Sequence, residues 1–265
     1  MPPATTPTET PRARTDARAE PKGRNPSRTR QVADHIKELV VRQGLRPGDR
    51  LPSEAALIET LDKSKGTVRE AMRMLEAEGL IRTRQGPGGG AFLTEMSSEV
   101  ATTLLSNFFY FRDLSIDDLY QMRIVLEPEV AASLAGRIPP ETLAAFRAET
   151  LRFDEPPATP EEERAQHVAS LDFHRKLAAL CDNRLLGFTV DFIAKMLSDL
   201  TVFRHLYEPH NHELWARGHE YHNLLLDALE AGDPAAARAT MAAHMQTAYR
   251  LMRDQEAAVA KGFLG

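Results

Sequence analysis

Residues 64–76, Ser-Lys-Gly-Thr-Val-Arg-Glu-Ala-Met-Arg-Met-Leu-Glu, constrain this chain more than any other stretch. Wound as a helix, they put Val68, Ala71, Met72 and Leu75 on one stripe at the three-and-four spacing of a buried face. At about 100° per residue, Lys65, Arg69 and Arg73 fall together beside that stripe, next to Gly66. Ser64 stands where its hydroxyl can accept from an unpaired N–H of the first turn, and Ser64 and Thr67 count with Lys65 and Arg69 as candidate DNA contacts. A short helix with an apolar back and a basic front near its N-terminus suits a DNA major groove. The helix dipole favours phosphates there, and Lys and Arg reach guanine edges. Periodicity alone favours a solvated amphipathic helix, and the neighbouring segments reverse that reading.

Those neighbours have a definite order. Val32, Ile36, Leu39 and Val40 form a helical stripe that ends near Gly44, and residues 45–52 read as a turn with a very short strand. Ser53 can cap a second helix with Leu57, Ile58 and Leu61 inward, and Asp62-Lys63 makes a tight turn into the basic helix. After Gly79, Leu80–Arg84 and Ala91–Thr94 read as short strands joined by a wing, Gln85-Gly86-Pro87-Gly88-Gly89-Gly90. Helix, helix-turn-helix and β-wing in this order make a winged helix-turn-helix, a DNA-binding plan in which Gln85 and Gly86 join the helix residues as contacts. The glycines lack the Lys-Ser/Thr and helix of a phosphate-binding loop.

A net charge of −5 sits badly with DNA until it is divided along the chain. Residues 1–27 carry +2 and are mostly Pro, Thr, Ala and Arg, a composition expected to form a disordered tail. Residues 28–95, the winged domain, also carry +2, whereas residues 96–265 carry −9. That last part has no strand signal. Its helical stripes are interrupted near Asp113, Ile138-Pro139-Pro140, Glu155-Pro156-Pro157, Asp182-Asn183, Pro209 and Gly232-Asp233-Pro234, which predicts an all-α bundle of six or seven helices. Leu119, Met122, Val125 and Leu126 are expected to line the core side of one helix, and Phe188, Phe192 and Met196 that of another. The expected fold class is mainly α. No apolar run is long enough to span a membrane, no secretory leader opens the chain, and the single cysteine, Cys181, reads as a small buried hydrophobe. A cytoplasmic protein without membrane contact is the expectation.

Three histidines carry a possible chemistry. His222 lies ten residues before Gly232 and His244 eleven after Asp233. If the Gly232 turn joins an antiparallel pair, both sit about 16 Å up from it and can face each other. His174 follows Phe173 on a third helix, with Leu177 inward. Three histidines on three helices can hold a divalent metal with coordination positions left open. On spacing alone, histidines without metal, in the core or at the surface, are the default reading, and the chain has six others.

Leu45-x-Pro47-Gly48-Asp49-x-Leu51-Pro52-Ser53-Glu54, then Ser64–Ala71, then Leu75-Glu76-x-Glu78-Gly79-Leu80 resemble the N-terminal domain of the GntR family of bacterial transcription regulators. Two positions depart from it. Lys65 replaces the usual Arg at the head of the recognition helix and lacks the planar two-point grip of guanidinium. Ala55 follows Glu54 where members often carry Arg. Arg123–Ala131, Phe173-His174 with Asn183, and His222, Gly232-Asp233-Pro234 and His244 resemble the FadR-type branch, whose all-α ligand-binding domain is called FCD.

That resemblance implies a divalent metal of the zinc or nickel class held by an Asp and three His, the latter matching His174, His222 and His244. The Asp position is Ser170 here, which removes an anionic ligand, and Asp172 is a poor substitute. It also implies a small organic acid bound near the metal, gripped by Arg123, with Ser170 facing the same site. Arg123 can instead pair with Glu127 one turn on, and Asn183 reads mainly as a helix cap.

The expected protein is therefore a homodimeric regulator that binds a double-stranded DNA operator under control of a small carboxylate effector. The alternative is a metal-dependent enzyme in which a three-histidine site activates water, although no Glu or Asp stands out near the histidines as a general base.

Overall fold

The computed structural model describes residues 27–262 apart from 96, 111, 113 and 209. The expected tail lies outside the described residues, Ser27 excepted. Among the described residues there are ten helices and one two-stranded sheet, and the chain divides between Met96 and Ser97 into two compact units.

The first unit is a winged helix-turn-helix. Ser27 caps α1 (Arg28–Arg42) by accepting from Arg30 N at 3.2 Å, and Ser53 caps α2 (Glu54–Leu61) by accepting from Ala56 N at 3.2 Å. Asp62, at φ 49°, ends α2 in the left-handed region that Asp tolerates, so that α3 (Lys65–Ala77) starts three residues later. β1 (Ile81–Arg84) and β2 (Gly90–Leu93) pair antiparallel from Ile81↔Leu93 to Arg84↔Gly90. The very short strand expected before Pro52 is one bridge, Arg50↔Phe92, flanked by Leu51 N→Ala91 O at 2.8 Å and Leu93 N→Asp49 O at 2.9 Å. Val32, Ala33, Ile36, Leu57, Val68, Ala71 and Leu75 make the core. Met72, expected on that face, is only half-buried at its margin.

The second unit holds α4 (Ser98–Tyr110), α5 (Ile116–Leu134), α6 (Pro140–Leu151), α7 (Pro160–Ala179), α8 (Arg184–Phe203), α9 (His212–Glu230) and α10 (Pro234–Gly262). The breaks expected at 138–140, 155–157, 182–183 and 232–234 fall at junctions between two of them, and those at Asp113 and Pro209 lie outside the described residues. Proline and glycine end helices for backbone reasons that packing seldom overrides. Ser115 and Asp118 form a reciprocal capping box on α5, and Asn183 caps α8 from Leu186 N at 3.1 Å, the role expected of it. At the turns α5–α6 and α9–α10, Gly136 and Gly232 both have positive φ and nearly touch. A Cβ on Gly136 would lie 3.2 Å from the Gly232 Cα.

Two expected core faces are different in the structure. On α5, Leu119 is buried, but Met122 and Val125 are 45% and 66% exposed, and the inward positions are the charged Arg123 and Glu127. On α8, Val190, Ile193, Ala194 and Leu197 are the buried face. Phe188, Phe192 and Met196 flank it, and Phe192 and Met196 meet α4 through Phe109 and Ser106. Cys181 is buried and free. Among the described residues no helix is long and apolar enough to cross a membrane.

Leu226 is fully buried where α9 enters the main cluster. Leu226→Ala should destabilise the protein by about 2–5 kcal/mol, measured as a lower urea midpoint, whereas Val125→Ala should leave the midpoint almost unmoved.

Candidate DNA-reading surface and metal centre

α3 presents its polar face to solvent. Ser64 Oγ accepts from Thr67 N at 3.3 Å and lies 2.8 Å from Thr67 Oγ1, so both hydroxyls order the helix start. Lys65 is exposed, and no ion-pair partner for it occurs among the described residues. Gly66 next to it leaves open space. The rest of the basic stripe is not free as the sequence alone implies. Arg69 Nε donates to Glu54 of α2 at 2.9 and 3.0 Å, and Arg73 pairs with Glu70 at 3.3 Å. Such exposed pairs are worth at most about 1 kcal/mol, so a phosphate or guanine can take Arg69 over. Gln85 and Gly86 sit exposed at the wing tip, where Gly86 adopts φ +91°.

The second unit encloses a cavity of about 240 Å³ lined from α5, α6, α7, α9 and α10. Arg123, Ser170, His174, His222 and His244 all border it, so the five residues expected there come together in one place. All three histidines are buried. His174 Nε2 lies 3.3 Å from His222 Nε2 and 3.2 Å from His244 Nε2. The three ring nitrogens fall within 4.8 Å of one another, the one group of metal-ligating type found among the described residues.

The electrostatics suit that convergence. Burial pushes His174, His222 and His244 below the ordinary imidazole range, so all three are neutral with lone pairs available at pH 7. Glu127 Oε2 contacts His174 Nδ1 at 2.5 Å, off the line of a straight hydrogen bond, and this carboxylate favours a proton on Nδ1 and a lone pair on Nε2. Burial alone would raise the Glu127 pKa, but Arg123 and His174 outweigh it and hold it at about 2. Arg123 gives its Nε to Glu127 Oε1 at 2.5 Å, while its Nη2 is buried with no hydrogen-bond partner. The ion pair weighed against carboxylate binding is therefore present, and it leaves Nη2 without a hydrogen-bond partner.

The donor set fits a divalent metal. Two nitrogens bound at 2.0–2.1 Å in a tetrahedral shell stand about 3.3 Å apart, and the observed separations are 3.2 and 3.3 Å. Ser170 is half-buried on the same wall and offers only a neutral hydroxyl. Asp172 is spent on Lys176 at 3.0 Å and Arg175 at 3.5 Å, which removes it as a substitute ligand.

Several residues of the site were not singled out in the sequence. Glu127 was foreseen only as a partner for Arg123. His167 borders the cavity and bonds Thr201 at 3.1 Å, with burial and Arg123 pushing its pKa down to about 4. Trp215 borders it too, and its Nε1 donates to Phe153 O at 3.0 Å, tying α9 to the α6–α7 connection. The one-turn spacing of Arg123 and Glu127 was the available signal for Glu127. For His167 and Trp215 there was none.

Residues 28–90 match the family described as bacterial regulatory proteins, gntR family, and residues 118–247 match the FCD domain. The HTH-type transcriptional regulator LutR of Bacillus subtilis is 28% identical over 76% of this chain and 90% of its own length. The Uxu operon transcriptional regulator of Escherichia coli is 25% identical over 82% and 83%, and the putative L-lactate dehydrogenase operon regulatory protein of the same organism is 26% identical over 84% and 85%. A solved Streptococcus agalactiae GntR structure shares the fold at a TM-score of 0.55, with 23% identity over 84% of this chain and 99% of that one. These relatives are regulators, and the metal-dependent enzyme considered above has no counterpart among them. The chain belongs to the GntR family, in the branch that joins a gntR helix-turn-helix to an FCD domain, and it is a DNA-binding transcription regulator rather than an enzyme.

Proposed function

We propose that the protein acts as a homodimer on a pseudo-palindromic operator and that a small carboxylate effector, entering the cavity of the helical unit, controls that binding. The observation that carries this reading is the convergence of three buried neutral imidazoles beside a buried Arg123 whose Nη2 has no partner. A cavity of about 240 Å³ lies below the ~300–1,000 Å³ typical of drug-sized ligands and favours a compact acid. One relative carries the name of an L-lactate dehydrogenase operon, whose substrate is such an acid.

His174, His222 and His244 would hold a zinc- or nickel-class metal, which when bound supplies a Lewis-acidic anchor for a carboxylate. The chain's own groups do the rest. Glu127 fixes the His174 ring, Arg123 offers its Nη2 to an anion, and Ser170 leaves room where a carboxylate ligand would stand. The two winged units would each read one half-site, because a single short helix contacts too few base pairs for specificity. An effector that favours one arrangement of the dimer shifts operator affinity by its difference in affinity for the two arrangements. A thermal-shift screen of small carboxylates, with and without chelator, tests the core of the proposal. At least one acid should raise the melting temperature and release operator DNA, and a flat screen would refute it.

On the DNA side, Ser64, Lys65, Thr67, Arg69, Gln85 and Gly86 form the proposed contact set. With an operator selected from a random duplex pool, Arg69→Ala should weaken binding by about 1–3 kcal/mol per half-site, while Arg28→Ala should change it little. Lys65→Arg should tighten binding to operator variants with guanine at the helix head. Gel-shift titrations read all three, and normal retardation by the Arg69 variant would exclude the groove assignment.

On the metal side, His222→Ala should abolish uptake of zinc or nickel by the purified protein. Ser170→Asp should raise metal affinity and lower carboxylate affinity, because the added charge attracts the cation and repels the acid. Calorimetric titration with metal, then with acid, measures both. Equal metal content in wild type, Ser170→Asp and His222→Ala would leave the cavity purely organic.

A further inference from the structure

The outer face of the wing sheet carries charge that neither α3 nor the cavity uses. Along β1, Ile81 is buried and Arg82 and Arg84 are exposed. In the ladder Arg82 stands opposite Phe92 and Arg84 opposite Gly90, and Arg50 meets Phe92 from its other side through the isolated bridge. Directly paired residues share a face of a sheet. Arg50, Arg82 and Arg84 therefore gather around Phe92 on the side away from Ile81, Ala91 and Leu93, which pack on the core.

Two of these guanidinium groups are held in place by apolar packing. Arg84 Cζ lies 4.6 Å over the Phe92 ring. The Arg50 guanidinium lies across Gly90 so closely that a Cβ there would come within 2.6 Å of its Nε. Arg30, Arg69 and Arg73 in the same unit each have an acid at 2.8–3.3 Å. Among the described residues, no carboxylate pairs with Arg50, Arg82 or Arg84. Residues two apart on a strand are about 6.7 Å apart, and neighbouring strands about 4.8 Å. Three cations at such spacing repel one another, and the chain supplies nothing to neutralise them.

We infer that this face is a phosphate-binding ledge for the DNA backbone, adding sequence-independent affinity beside the base-reading helix. Two of its arginines are braced against the sheet, which suits them to meet phosphates rather than to reach base edges. Its anionic partner is duplex DNA because the chain is a DNA-binding regulator. The inference rests on that identity and not on the contacts assigned to α3.

The test needs no operator. Full-length wild type, the triple variant Arg50→Gln/Arg82→Gln/Arg84→Gln and the corresponding triple Lys variant are titrated against a mixed-sequence 30-bp duplex between ~50 and ~200 mM KCl. Each phosphate neutralised contributes about 0.9 to the slope of log K against log salt. The Gln variant should lose about 2–3 of that slope, and the Lys variant should regain most of it. An unchanged slope in the Gln variant, or an equal loss in the Lys variant, overturns the ledge. If melting curves reveal that the triple Gln variant is unfolded, Arg82→Gln alone, which disturbs neither stacked guanidinium, should lose about 0.9, and no loss there overturns it equally.

Discussion

A carboxylate buried between a guanidinium and an imidazole organises the helical unit. Glu127 is 1% exposed and touches Arg123 through one oxygen and His174 through the other. Removing one member of a buried ion pair costs about 3–5 kcal/mol, because the remaining charge has no water to turn to. That penalty holds the Arg123–Glu127 pair together within α5, and the second Glu127 oxygen contacts the neutral His174 of α7, which in turn meets the histidines of α9 and α10. The orientation of the His174 ring thus follows from a carboxylate on a neighbouring helix. Pro128 comes directly after Glu127 inside α5, where it provides no N–H.

The DNA-reading unit balances its charges differently. Four of its twelve cations, Arg30, Lys37, Arg69 and Arg73, are paired loosely with acids they can leave. Glu54 holds Arg69, Glu70 holds Arg73, and Glu78 accepts from both Arg30 and Lys37 at 2.8 and 2.7 Å. Lys37 and Arg30 in turn keep the Glu78 carboxyl below its usual range despite some burial. Exposed pairs of this kind set side-chain direction at little energetic depth, which suits a surface whose partner is itself a polyanion.

The backbone plan was legible in the sequence, while the charged interior was not. Ser53 and Ser64 before helices, Pro139-Pro140 and Gly232-Asp233-Pro234 between them, and the glycine run of the wing act through local geometry, and each stands where its chemistry requires, whereas Ser27, assigned to the tail, caps α1. The level placement of His222 and His244 followed from counting residues back to one turn. Hydrophobic periodicity failed on α5, since it favours Met122 and Val125 and has no means of assigning two charged side chains to the inside. The pairs Glu127–His174 and Arg69–Glu54 join residues far apart in sequence, and only the packing of helices brings them within reach. Glu127, the residue that orients His174, was for that reason visible only as a neighbour of Arg123.

The chain has a single tryptophan, Trp215, and it lines the cavity while its indole N–H is fixed to the Phe153 carbonyl. Indole emission responds to the polarity and rigidity around the ring, and all tryptophan fluorescence from this protein originates at the wall of the cavity. The molecule thereby carries its own optical gauge, in which a change of colour or intensity reports the state of that chamber with no signal from the DNA-reading unit to subtract.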